Sequence, residues 1–118
     1  YEMHTKSNPD DIENVLLLFN AYGKNNQFEV LAKKAEEKLE LYPLQPDFYY
    51  YAGLANNQLK NFKKAKDQLE SGVDYIVDNK TLEANFYIQL GEAYNGLGDT
   101  KKKESYFIKA DKLVKEIK

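Results

Sequence analysis

Apolar residues recur every three to four positions through almost the whole chain, whereas strict alternation of apolar and polar residues is missing. This spacing is typical of amphipathic α-helices, because residues three and four apart lie on the same helix face. An aromatic run at 48–51 is too isolated to build a sheet. We therefore predict an all-α chain with six helices, at 11–24, 27–42, 47–59, 62–78, 81–96 and 100–117.

Residue types that begin helices occur between these segments. All three prolines lie at predicted joints, at positions 9, 43 and 46. Asp10 and Asn26 are each followed three positions later by glutamate, which predicts capping boxes, and Thr81 and Asp99 are further predicted N-caps. Connections this short place consecutive helices side by side and antiparallel.

One helix–turn–helix pattern occurs three times. Pro9 and Pro43 are 34 positions apart, as are Phe19 and Gly53, and Gly91 follows Gly53 by 38 positions. A single helix pair cannot bury its apolar face, so such repeats are stable when they stack. We predict three stacked units, at about 11–45, 46–80 and 81–118.

The repeated motifs resemble those of the tetratricopeptide repeat (TPR) family, over essentially the whole chain. The third unit carries the resemblance best, through Tyr87, Leu90, Gly91, Tyr94, the turn Leu97-Gly98-Asp99, Phe107 and Ala110. The second unit matches at Tyr49, Gly53, Leu59, Phe62, Ala65, Leu69 and Gly72. The resemblance implies an α–α superhelix, a TPR solenoid of about three repeats, in which the first helices of successive units line a concave groove.

The first unit departs from the family pattern. It matches at Leu18, Tyr22, Phe28 and Pro43. Phe19, however, stands where a small residue is usual, and Leu31 and Ala35 invert the usual small-then-large order. If the same repeat spacing is extended toward the N-terminus, residues 1–10 are expected to be the tail of a preceding TPR unit in a longer array.

Composition and charge limit the partners. The 118 residues are 42% apolar and 31% charged with a net charge of −2, so no global positive field attracts nucleic acid or anionic membrane. No apolar run reaches the roughly 20 residues of a membrane span. Lysine clusters at 60–66 and 101–103 are interpreted as solvated helix faces. We expect a soluble protein without nucleic-acid binding or membrane insertion. Because the chain has no cysteine, its composition does not distinguish a cytoplasmic from a periplasmic location.

Residues that could carry chemistry are few. Gly91 and Gly96 have the spacing of a phosphate-binding loop, but Leu97 stands where that loop needs lysine. His4 is the single histidine, and the acidic pairs at 10–11 and 36–37 do not converge on a helix. We expect no enzyme activity and no catalytic, cofactor or metal site.

The glycines of the third unit are instead interpreted as fold devices. Gly91, like Gly53, is expected where the partner helix comes close. Gly98 is expected in the left-handed conformation that ends a helix. Gly96 is placed on the groove side, with no packing partner assigned.

The concave groove is the predicted binding site. Asparagine offers a hydrogen-bond donor and an acceptor, which suits the backbone of an extended peptide. The leading hypothesis is a non-enzymatic scaffold that binds a protein or peptide in this groove. One alternative is that Leu54 and Ile88 only pack between units. Another is a structural or self-associating segment, a homo-oligomer formed through exposed repeat ends near Tyr1 and Lys118. The groove residues are Leu16, Asn20, Tyr50, Leu54, Asn57, Ile88, Glu92 and Asn95.

One function of the resembled family can be tested by residue. TPR domains that bind chaperone C-termini hold the terminal carboxylate with lysine, asparagine and further basic residues at set positions. The matching positions here are Leu16, Asn20, Tyr51, Asn85 and Gln89, of which only Asn20 agrees. Because the positive charges are missing, we predict that the chain does not bind chaperone C-termini.

Overall fold

The computed structural model describes the backbone of residues 9–117 and the side chains of residues 12–117. This part of the chain forms α-helices and no strands, as predicted. The predicted tail at 1–10, with His4, lies mostly outside the described residues. The helices are α1 (Pro9–Lys24), α2 (Phe28–Leu41), α3 (Pro46–Gln58), α4 (Phe62–Val73), α5 (Lys80–Leu97) and α6 (Thr100–Ile117).

The helices pack in chain order, each against the next. In addition α1 packs against α3 and α3 against α5, so the odd-numbered helices form an inner row. Within the described residues, the backbones of α2 and α4 do not meet. The resulting body measures 48 × 30 × 24 Å, longest along one axis, as a series of stacked helices would be.

Two apolar clusters hold the row together. The first joins α1, α2 and α3 around buried Phe19, Leu31 and Phe48. The second joins α4 and α5 around Leu69 and Phe86. Burying one such side chain contributes about 1.5–3 kcal/mol, so these clusters are the main source of packing energy.

Glycines permit the closest helix contacts. A Cβ added to Gly53 would collide with Leu69, and one added to Gly91 would collide with the ring of Phe107, which confirms the expected close approach. In each case the large residue follows the glycine by 16 positions, since 69 − 53 and 107 − 91 are both 16. The prediction for Gly96 was wrong: it lies under the ring of Phe62 on α4 and not in a groove.

The first unit solves the same packing problem with the sizes reversed. Phe19 and Ala35 are also 16 positions apart, since 35 − 19 is 16, and both are buried in the first cluster. Here the large residue is on the first helix and the small one on the second.

Two of the predicted helix caps were wrong and one is confirmed. Asn26 adopts a left-handed φ of 61° and α2 follows Gln27 without a side-chain cap. Asn79, not Thr81, caps α5 by accepting a hydrogen bond from the Leu82 amide at 3.0 Å. Asp99 caps α6 as predicted, after Gly98 ends α5 with a left-handed φ of 82°.

Helix α4 ends five residues before its predicted end at 78, at Val73. The Tyr75 amide donates to the Gly72 carbonyl at 3.0 Å, three residues back, which tightens the chain into a turn. Tyr75 then stacks on Tyr49 at 5.8 Å. The spacing from Gly53 to Gly91 is four residues longer than the spacing from Phe19 to Gly53. The additional four residues therefore lie in this loop, where the apolar spacing alone predicted more helix.

Candidate functional site

Two adjoining cavities run along the face between α1 and α3. Their volumes are about 250 Å³ and 370 Å³, and Asn20 and Tyr51 line both of them. They therefore form one continuous depression, called here the α1–α3 cleft. Its other lining residues are Glu13, Leu16, Leu17, Gly23, Lys24, Phe28, Tyr50, Leu54 and Gln58.

Helical spacing brings these side chains to one face. Leu16 and Asn20 are four positions apart on α1, and Tyr50 and Leu54 are four apart on α3. Residues at this spacing lie one above the other on a helix. The two rows face each other because α1 packs directly against α3.

An aromatic wall anchors the cleft to the core. The ring of Tyr51 meets buried Phe19 edge-on, with centroids 5.7 Å apart. Tyr50 meets Tyr51 at 5.1 Å and Phe86 of α5 at 5.8 Å. Such pairs are favourable beyond the area they bury and restrict ring motion. A ligand would therefore meet a largely preformed surface.

The two tyrosines remain protonated at neutral pH. Burial raises the pKa of Tyr50, and the neighbouring Tyr51 adds to the effect. Burial likewise raises the pKa of Tyr51, with a further contribution from the negative charge of Asp47. Both phenols therefore keep the hydroxyl proton that a hydrogen bond to a peptide carbonyl requires.

Opposite charges lie toward the two ends of the α1 wall. Glu13 and Lys24 are eleven positions apart on one helix, which corresponds to about 16 Å at 1.5 Å per residue. An extended chain covers that length with about five residues. The cleft thus has an apolar middle, amides from Asn20 and Gln58, and an acidic and a basic end.

Four of the eight predicted groove residues line this cleft: Leu16, Asn20, Tyr50 and Leu54. Ile88, Glu92 and Asn95 are exposed on α5 and do not line it.

Asn57 differs most from its prediction, because only 6% of its surface is exposed. Its Nδ2 donates to the backbone carbonyl and to Oε1 of Gln89, each at 2.9 Å, which ties α3 to α5. Its Oδ1 is buried and has no hydrogen-bond partner within the part of the chain that the structure describes. Asn57 is therefore an inter-helix tie and is not available to grip a ligand.

The sequence reasoning missed seven of the lining residues: Glu13, Leu17, Gly23, Lys24, Phe28, Tyr51 and Gln58. Tyr51 lines both cavities, although it was considered only for the carboxylate-holding pattern. Leu17 is 68% exposed beside it. A usable signal was present in the run Tyr49-Tyr50-Tyr51, since three successive residues on a helix cannot all face the core.

Metal-ligating side chains do not cluster in the described part of the chain. No three His, Asp or Glu side chains between residues 12 and 117 come together as a metal site would require. Over the same helices, none is both long enough and apolar enough to cross a bilayer. The acidic pair at 36–37 is divided: Glu36 contacts Lys64 at 2.9 Å, and Glu37 is exposed.

No protein-family model matches the chain, and no curated protein matches it.

Proposed function

We propose that the chain is a TPR-type solenoid of three helix pairs, α1–α2, α3–α4 and α5–α6. Support comes from the serial packing, from the inner row of odd-numbered helices, and from the packing pairs that recur 16 positions apart. The Gly98–Asp99 joint between α5 and α6 also has the cap geometry that the family motif implies. Repeats of this kind stack nearest neighbours and expose a long inner surface.

We propose further that this solenoid is a non-enzymatic scaffold that binds a protein or extended peptide in the α1–α3 cleft. The observation that carries the proposal is the lining of the cleft, where half-buried apolar and aromatic side chains and the exposed Leu17 lie beside uncharged amides. Apolar contact supplies affinity at about 25 cal/mol per Å² removed from water. The amides of Asn20 and Gln58 supply backbone hydrogen bonds.

This proposal is narrower than the groove predicted from the sequence. The proposed binding surface is the cleft between α1 and α3, and it leaves out α5, which Asn57 ties to α3 through Gln89. The expectation that chaperone C-termini are not bound stays with the proposal, since the cleft offers a single lysine, Lys24, at one end.

A displayed peptide library tests the proposal directly. Peptides selected on the chain are expected to bind Leu17→Ala roughly tenfold more weakly, because Leu17 is exposed and lines the cleft. Ile108→Ala is the matched control, since Ile108 is 60% exposed on α6, outside the cleft. Fluorescence anisotropy measures both affinities. Equal affinities in the two variants, or a library that yields no binders, would show that the α1–α3 cleft is not the peptide-binding site.

Self-association is the second candidate, favoured by apolar side chains exposed on the last helix. Val114 and Ile117, three positions apart and therefore on one face of α6, are both exposed. A partner copy would cover such a face. Sedimentation over a range of concentrations separates the candidates: a dimer that Ile117→Lys dissociates supports self-association, and a monomer at all concentrations rejects it.

A further inference from the structure

A second cleft lies where the turn between α3 and α4 meets the end of α5. Its volume is about 670 Å³. We call it the lysine cleft. Its lining residues are Lys60, Asn61, Phe62, Lys63, Lys64, Asp67 and Leu97. None of these residues lines the α1–α3 cleft, so the two surfaces are separate.

Phe62 and Leu97 form the apolar floor of the lysine cleft. The Phe62 ring lies against Gly96, where even a methyl group would collide with it, so one side of the ring is covered by the α5 backbone. Leu97 follows directly and is 45% exposed. An exposed leucine beside an anchored aromatic ring suits an apolar side chain from a partner.

Positive charge dominates the rim of the lysine cleft. It carries three lysines and one aspartate, a net charge of +2, although the whole chain is at −2. Asp67 is paired with Lys66 at 3.1 Å, and Lys64 is paired with Glu36 at 2.9 Å. Within the described residues, Lys60 and Lys63 form no ion pair, so these two ammonium groups can meet charge from a partner.

We propose that the lysine cleft docks an acidic peptide segment with at least one large apolar side chain. Carboxylates would pair with Lys60 and Lys63 while the apolar side chain covers Leu97 and Phe62. Charge complementarity selects the acidic partner, and the apolar floor selects a peptide. Nucleic acid fits less well for two reasons. The face of the Phe62 ring that covers Gly96 is not available to stack on a base. The rim also does not provide the long row of basic residues that contacts a phosphate backbone.

Synthetic peptides provide the test on the full chain. The probe is a fluorescent Glu-rich peptide with a central Leu-Phe pair, and the control peptide replaces each Glu with Lys. The Glu peptide is expected to bind, more weakly at high salt, and the Lys peptide is not. The variant Lys60→Glu/Lys63→Glu is expected to weaken Glu-peptide binding at least tenfold. Lys33→Glu/Lys34→Glu is the matched control, since both residues are exposed on α2 away from the cleft, and should bind as the unmodified chain does.

Two further variants test the apolar floor and the location of the binding site separately. Leu97→Ala is expected to weaken binding severalfold if the apolar floor contributes, whereas Leu17→Ala in the α1–α3 cleft should leave it unchanged. Circular dichroism confirms the fold of each variant. Equal loss in both lysine variants, no binding of the Glu peptide, or oligothymidylate binding that depends on Lys60 and Lys63 would each overturn the proposal.

Discussion

The two halves of the inner row were expected to be alike but are filled differently. Between α1 and α3 the surface is an open cleft lined by Tyr50, Tyr51 and Leu54. Between α3 and α5 the buried Asn57 bridges the two helices by donating two hydrogen bonds to Gln89. Both halves are built over a buried phenylalanine, Phe19 in one and Phe86 in the other, the latter in contact with Tyr50.

This difference shows that a repeated motif does not imply a repeated surface. The helix positions recur, but between α3 and α5 an amide pair adds to the contact of Tyr50 with Phe86. Where such a pair is missing, between α1 and α3, the structure has the α1–α3 cleft. The presence of a cleft between neighbouring odd-numbered helices therefore depends on the side chains that lie between them.

The largest expected effect tests whether the two halves share the same kind of floor. Phe19→Ala and Phe86→Ala should each lower the free energy of unfolding by about 3–5 kcal/mol, because each removes a fully buried ring. Denaturant unfolding of the two variants gives the values. A loss for Phe19→Ala of less than half that for Phe86→Ala would contradict the comparison, since the open half would then lack a packed floor.

A smaller effect tests the tie that closes the second half. Asn57→Ala removes two hydrogen bonds to Gln89 but also removes a buried oxygen without a partner in the described residues, so we expect a net loss of about 1 kcal/mol. Asn20→Ala is the control and should change stability by less than about 0.5 kcal/mol, because Asn20 is exposed. Chemical denaturation compares them. Equal losses would mean that Asn57 does not act as a tie.

The smallest expected effect concerns the outer side of α3. There the Glu36 carboxylate accepts hydrogen bonds from buried Asn56 at 3.4 Å and from Gln68 at 3.1 Å, and pairs with Lys64. Burial acts to raise the pKa of Glu36, but the contacts with Lys64, Gln68 and Asn56 outweigh it and hold the pKa below its ordinary value of 4.5.

Stability from this carboxylate is therefore present above pH 4.5 and is lost as the pH falls through the lowered folded pKa. Melting temperatures of the natural chain and of Glu36→Gln should converge as the pH is lowered from 6 to about 3. A constant difference between the two across that range would show that the Glu36 charge contributes nothing to folding.

The sequence predicted helical structure well where the reason is local. Six helices follow from apolar spacing, and the bounds of α6 were predicted to the residue. Gly98 and Asp99 were identified because left-handed helix ends and N-caps have strong residue preferences. The end of α4 was missed, since the turn at Tyr75 is accompanied by stacking on Tyr49, a residue far away in the chain.

The candidate site was only half predictable for the same reason. Leu16, Asn20, Tyr50 and Leu54 face one cleft because their spacing on each helix is regular. The burial of Asn57 could not be read from that spacing, since it depends on Gln89, which is 32 positions away. Similarly, Gly96 is explained only by Phe62, which arrives from another helix.

The sequence by itself determined the helical class, the order of the elements and the positions of close helix contact, because periodicity, capping and residue size act within or between neighbouring helices. The tertiary structure alone decided which inner surface stays open and where the lysine cleft forms. Both depend on side chains brought together from distant positions, and pairings such as Asn57 with Gln89 and Phe62 with Gly96 leave no periodic trace in the chain.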